Sequence, residues 1–203
     1  MITFVLVVLA LFLIPGPAVM LTLARSISGG RRIGIYTGIG IAVGDLIHTL
    51  ALTLGLSAIL MTSALAFEVV KYLGAAYLFY LGVRAFLEKS AGIHMPSVQR
   101  IDSHRAFRQA VLTEVLNPKT ALFFLSFLPQ FVQPEDGQVI IQLLVLGLTF
   151  VTLSIFYTTL LAFTAGSLGQ WLSQHQGIAR WQGKIMGFIY SGLGVQIALQ
   201  HQD

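Results

Sequence analysis

Cysteine is missing from this chain of 203 residues, so neither disulfides nor thiol redox chemistry can carry its function. Charge is almost as scarce: only 10% of the residues are Asp, Glu, Lys or Arg, against about 25% in an ordinary soluble domain. Enzyme signatures are missing too. There is no G-x-S-x-G, no zincin H-E-x-x-H and no phosphate-cradling glycine loop, so motifs give a membrane enzyme no support. The N-terminus, MITFVLVVLALFLIPGPAVM, lacks the basic leader region and small-residue cleavage site of a signal peptide and reads as a retained first span. The net charge of +4 is dispersed among short loops and not gathered on one face, so no nucleic-acid partner is expected.

What the chain has in quantity is apolar sequence, 56% of it, with a mean hydropathy of +0.82. Apolar runs of at least about 18 residues read as membrane-spanning helices, and such runs succeed one another along the whole length. The expectation is an all-α, polytopic membrane protein, a single transmembrane domain over residues 1–203. Six spans are predicted, over Ile2 to Leu23, Ile35 to Met61, Phe67 to Phe86, Phe107 to Phe131, Val139 to Leu168 and Gly183 to Leu199, each long enough at about 1.5 Å per residue to cross a core of about 30 Å. Arg25, Arg31 and Arg32 fall between the first two; Lys89, Arg100, Arg105 and Arg108 between the third and fourth; Arg180 between the fifth and sixth, with Lys184 adjoining. The alternate loops, MTSALAFE and QPEDGQ, have only Lys71 near the first of them. The positive-inside rule then puts the basic loops in the cytoplasm and both termini outside.

The polar linker over 89–105 divides the chain into halves, 1–88 and 106–203, of three spans each. Because three is odd, a repeat relating them has inverted topology, an arrangement in which binding sites form at broken helices near the midplane. A matched pair of breaks is present: Pro15, Gly16 and Pro17 in the first span, and Pro118 in the fourth. A proline inside a helix removes a backbone hydrogen bond at a cost of about 3 kcal/mol, and backbone groups freed in lipid need a partner or a wet cavity.

Ionisable groups lie at the same depth. Asp45 is about 15 Å into its span at 1.5 Å per residue, and Lys119, eleven residues beyond Arg108, is similarly deep. Each costs about 2.5–3.5 kcal/mol at a helix centre, so both are expected to face an interior cavity, either paired or linked through water and substrate; a purely structural ion pair is the plainer reading. Glu114, six residues past Arg108, reads equally as a rim carboxylate bridged to Arg108 or as a proton-coupling group. Asp45 and His48 share a helix face. His48 is read first as a hydrogen-bonded side chain, then as a proton relay, then as half of a metal site; His94, His104, His175 and His201 fall in loops or at the end, and two ligands do not make a site. Gly40 and Gly44, and again Gly183, Gly187 and Ser191, recur every four residues and give smooth helix faces, for packing inside the bundle or, on the sixth span, for a homodimer seam. Tyr72, Tyr77 and Tyr80 read as interface aromatics.

The set PGPA at 15–18, GIGIAVGD at 38–45, KYLGAAYLFYLGVRAF at 71–86 and NPKTALFF at 117–124 resembles the LysE/RhtB family of bacterial amino-acid exporters, and the likeness covers essentially the whole chain. The resemblance implies a small secondary transporter of the bacterial plasma (inner) membrane that exports amino acids from the cytoplasm, driven by the proton motive force. It looks more like the homoserine, threonine and leucine branch than the basic-amino-acid branch. Carried over by position, the functional set is Pro15, Gly16, Pro17, Asp45, Asn117, Pro118 and Lys119, with Asp45, Glu114 and His48 as candidates for proton coupling and no cofactor called for. An exporter of metal cations through Asp45, His48 and Glu114 is the alternative, opposed by the charge of Lys119. A membrane enzyme or scaffold acting on lipids is the other.

Overall fold

The computed structural model describes residues 1–13, 16–62, 101–133 and 136–174, together with 69, 72, 76, 79, 80 and 83. The expected sixth span, nearly all of the third and most of the linker lie outside the described residues, as do Pro15, Tyr77 and Lys71. Among the described residues the structure is helical throughout, with no strand.

Helix α1, Ile2–Leu13, buries Phe4, Val8, Leu11 and Phe12 along one stripe, the spacing of a single helix face. Helix α2, Pro17–Thr62, is interrupted at Gly30, whose φ of 81° and ψ of 176° belong to a region that is essentially glycine-only. The chain doubles back there: Gly34 lies against Ser26, although eight residues of straight helix would set them about 12 Å apart. The polar loop expected between the first two spans is therefore a one-residue corner. Helix α3, Ser103–Val115, and helix α4, Pro118–Phe127, are followed by a 3-10 turn, Leu128–Phe131, and α3 meets the rest at a bend of 49°. Helix α5, Val139–Gln174, begins after a short turn in which the Gln142 amide joins the Gln133 backbone at both ends (2.9 and 3.0 Å).

By length and composition two stretches among the described residues can cross a membrane, Pro17–Gly55 and Val139–Ala165, and the bent pair Ser103–Val115 with Pro118–Phe131 makes a third. Exposure follows the same logic. Large apolar side chains point outward, Leu54 and Phe156 being 75% and 72% exposed, while Asp45, Glu114, Asn117 and eight Thr and Ser side chains are buried. In water this would be inside out; in lipid it is the stable order.

Glycine sets the register. Beyond its corner, α2 meets α5 at Gly34 with Ala162, Gly38 with Thr158 and Thr49 with Gly147; each pair of numbers adds to the same total, which defines an antiparallel contact. It meets α3 at Gly40 with Ala110 and Gly44 with Glu114, a constant offset that defines a parallel one. Arg25 donates to the Gln109 side chain, and Arg31 lies 5.5 Å from the Phe163 ring. The corner of α2, the start of α3 and the last turns of α5 thus share one basic end, where the positive-inside rule expects the cytoplasm. Towards the other end, rings fill the bundle: Phe4 with Phe131 (5.3 Å), Phe123 with Phe127 (4.9 Å), Phe124 with Phe150 (4.9 Å) and Phe12 with Phe150 (5.1 Å).

A Cβ at Gly44 would sit 2.5 Å from Glu114 Cβ, whereas one at Gly55 meets nothing within 4 Å. Gly44→Ala should lower stability in detergent by about 1–3 kcal/mol, and Gly55→Ala should be neutral or stabilising by up to about 1 kcal/mol; thermal melts of the two variants side by side check this. Asp102 caps α3 by accepting the Arg105 N–H at 2.9 Å, and that bond chiefly holds its carboxyl below the usual range. A carboxyl lowered in this way stabilises the fold above its unfolded value and loses that contribution as pH falls through the folded one. Asp102→Asn, a cap that does not titrate, should therefore flatten the decline of melting temperature below about pH 4.

Candidate functional site

The two breaks are built alike. The Gly16 carbonyl accepts the Met20 N–H at 3.0 Å, and the Asn117 carbonyl accepts the Ala121 N–H at 3.0 Å, so each residue caps the helix that follows and Pro17 and Pro118 occupy the first helical position. There a proline loses no hydrogen bond and presets φ. Both prolines are exposed and line no part of the site; they fix where α2 and α4 start. Pro15, the other proline of the candidate set, lies outside the described residues.

Asn117 does more than cap. Its Oδ1 accepts the Lys119 N–H at 3.2 Å, while its Nδ2 donates to both Glu114 carboxylate oxygens, at 3.3 and 3.1 Å, and to Thr120 Oγ1 at 3.0 Å. The helices that end at the breaks leave carbonyls without intrahelical donors, and neighbouring spans supply them. Lys119 Nζ donates to the Leu11 carbonyl of α1 at 3.1 Å. His48 Nε2 lies 2.9 Å from the Glu114 carbonyl of α3 and must carry the proton there, because a carbonyl only accepts. Both donors sit at helix C-terminal ends, where carbonyls point beyond the last turn. A Cβ at Gly16 would come 3.2 Å from Lys119 Cδ, so glycine leaves the lysine its path.

Between the breaks lies a chamber of about 40 Å³, lined by Gly16, Asp45, Glu114, Asn117 and Lys119, with Thr120, Ser154 and Thr158 and the rings of Phe12, Phe150 and Tyr157 among its other walls. A larger groove of about 880 Å³ runs along the flank of α3, lined among the described residues by side chains from Asp102 to Val115. The chamber has room for one or two waters, each occupying about 30 Å³ in the liquid.

Glu114 is not a rim carboxylate. It is 1% exposed, because the missing side chain at Gly44 admits its Cβ into the bundle, while Arg108 stays exposed. Nor is Asp45 simply the partner of Lys119. Glu114 and Ser154 line the same chamber as both of them, and the Asn117 amide holds the Glu114 carboxylate there. Asp45 is likewise 1% exposed, and its Oδ2 has no hydrogen-bond partner. Ionised carboxylates only accept, so these two can bond to each other only when one proton lies between them. His48, expected beside Asp45, turns to the α3 terminus and does not line the chamber, which removes it from the ligand set of the cation reading; among the described residues no group of three acids or histidines is gathered around one point.

Sequence reasoning missed Ser154 and Thr158, although two hydroxyls four residues apart in an apolar span were a visible signal, and it missed the aromatic wall, whose members look like ordinary core.

Polar side chains gathered at two helix interruptions, inside a bundle that is apolar outside, make a membrane translocator. The chain belongs to the LysE type translocator family, whose model matches residues 9–201. It is 35% identical over 201 residues to an uncharacterized membrane protein of Pseudomonas aeruginosa, covering 97% of this chain and 93% of that one. It is 32% identical over 196 residues to the uncharacterized membrane protein YrhP of Bacillus subtilis, covering 92% of each, and 29% identical over 186 residues to an uncharacterized membrane protein of Vibrio cholerae, covering 92% and 90%. No solved structure matches it.

Asn117→Ser keeps a capping oxygen and loses the amide that holds Glu114; Asn117→Ala loses both. The serine variant should lose about 1–3 kcal/mol, the cost of a hydrogen bond to a buried charged group, and the alanine variant about 1 kcal/mol more for the cap, read as melting temperatures in detergent.

Proposed function

We propose that this chain is a secondary transporter that exports amino acids from the cytoplasm, small neutral ones such as homoserine, threonine or leucine, driven by the proton motive force. In this reading it sits in the bacterial plasma (inner) membrane as six spans, an inverted 3+3 repeat with both termini outside. Membership of a translocator family supplies the class. The observation that carries the substrate is that one chamber holds both signs of charge, Lys119 on one side and Asp45 and Glu114 on the other. A zwitterion carries one carboxylate and one ammonium and needs both.

The backbone adds to the side chains. Helices α2 and α4 start at the chamber, so Ala18, Val19 and Thr120 present N-terminal turns to it, and these ends favour a carboxylate. Phe12, Phe150 and Tyr157 offer an apolar wall to the remaining side chain of the substrate. At about 40 Å³ the chamber is closed around water, and loading requires the helices at the breaks to part. A metal cation is the poorer fit, since the Lys119 ammonium would repel it in the same small space.

The test is extracellular accumulation of amino acids by cells that express the protein and are fed a panel of dipeptides. The wild type should accumulate a restricted set. Lys119→Ala and Asp45→Asn each remove a contact to a buried charge, about 1.5–3 kcal/mol, and should lower export at least about tenfold. No accumulation from protein shown to be in the membrane would sink the exporter. Accumulation indifferent to both variants would keep the exporter and discard this site.

A further inference from the structure

We propose that the coupling proton and the ammonium group of the amino acid occupy the Asp45–Glu114 pair in turn, so that one proton enters for each amino acid that leaves. The inference rests on the exporter reading above and adds to it where the exchange happens and in what ratio.

The argument is one of hydrogen-bond capacity. Glu114 receives the Asn117 amide on both oxygens, and Asp45 lines the same chamber of about 40 Å³ with its Oδ2 unpartnered. With a proton between them the two carboxyls close on each other, and little is left to receive an ammonium, which has three N–H groups to place. Without that proton two buried carboxylates share the chamber with the single ammonium of Lys119, and a substrate ammonium between them supplies the second positive charge. Either cation satisfies the pair, and a chamber of about 40 Å³ does not hold both in the same gap.

The balance is simple. On the cytoplasmic side the protonated pair and the zwitterion exchange: the proton leaves to water, and the ammonium takes its place while the substrate carboxylate turns to Lys119. On the outer side a proton returns to the pair and the ammonium is displaced. One proton moves inward for each zwitterion moved outward, so each turnover carries one positive charge inward.

The groups that face the pair are named by the packing around it. Helix α4 brings Lys119, α5 brings Tyr157 with the hydroxyls of Ser154 and Thr158, and α2 brings His48, whose Nε2 is committed to the Glu114 carbonyl. Helix α1 contributes no titratable side chain.

The purified protein in liposomes is tested with labelled threonine, homoserine and leucine. For a transported amino acid, half-saturation should rise about tenfold for each unit of acidification below the titration of the pair, the slope of one competing proton, while the maximal rate of amino-acid exchange holds. Asp45→Asn and Glu114→Gln should each flatten that dependence, and imposed inside-negative potential should speed proton-coupled transport in the wild type. A carbodiimide that modifies protonated carboxyls in apolar surroundings gives a second readout on the wild type alone. Mass spectrometry should find its adduct on Asp45 or Glu114, reduced as the amino acid is raised. Transport whose half-saturation ignores pH, or an adduct undiminished at saturating amino acid, overturns the shared site and leaves the exporter standing. If the wild type carries none of the three amino acids, the exporter reading and this inference fall together.

Discussion

A helix interrupted inside a membrane leaves backbone groups that lipid cannot satisfy, and this bundle is organised by how that demand is met. Each interruption draws on a side chain from another span. The Leu11 carbonyl near the end of α1 is reached by Lys119 from the second break, and the Glu114 carbonyl at the end of α3, which accepts the Asn117 N–H of its own span at 3.0 Å, is also reached by His48 from α2. Each break therefore recruits a cationic or polar side chain from elsewhere in the sequence, and the recruited groups bring their own demands. Lys119, once drawn in, needs an anion within reach; Glu114 meets that need, and Asn117 holds Glu114 in place. The chamber follows from satisfying two broken helices at once, and its charges are the means.

Glycine makes the geometry affordable. Gly44 lets α3 come close enough to α2 for Glu114 to enter the bundle, Gly16 leaves a channel for the Lys119 side chain, and Gly34, Gly38 and Gly147 let α2 and α5 run in contact. Without a hydrophobic force between helices in lipid, close backbone approach and hydrogen bonds carry the association. The residues that seem featureless in the sequence thus decide where the ionisable ones sit.

Much of this was legible in the residues. The paired breaks, the turning of Asp45 and Lys119 towards one interior chamber and the smooth face at Gly40 and Gly44 all follow from spacing, because helix rise and glycine size are local properties. Glu114 was misjudged because depth counted from Arg108 treats α3 as straight and isolated, whereas its burial depends on the space left at Gly44, a contact 70 positions away in sequence. The division of labour between Asp45 and Glu114 was hidden for the same reason: pairing across spans is set by helix rotation, which periodicity leaves open. The prolines were misread in detail. Pro17 and Pro118 interrupt no helix from within: Gly16 and Asn117 precede the helices that follow, and the two prolines occupy their first positions.

The chamber lies between unlike halves of the bundle. On the side away from the basic end, the rings of Phe4, Phe12, Phe123, Phe124, Phe127, Phe131 and Phe150 interlock at centroid distances of 4.9–5.6 Å for most pairs, and parting them would break many contacts at once. Towards the basic end, α2 and α5 meet through Gly34, Gly38, Ala162 and Thr158, small groups that bring the two backbones close. The hydroxyls there are held by their own helices, Thr37 by Ile33, Ser26 by Thr22 and Thr158 by Ser154, while Arg25 and Arg31 reach across to Gln109 and to the Phe163 ring. One end of the chamber is thus flanked by interlocking rings and the other by close backbone contact and a few polar reaches, and that difference comes from where rings and glycines fall along the same helices.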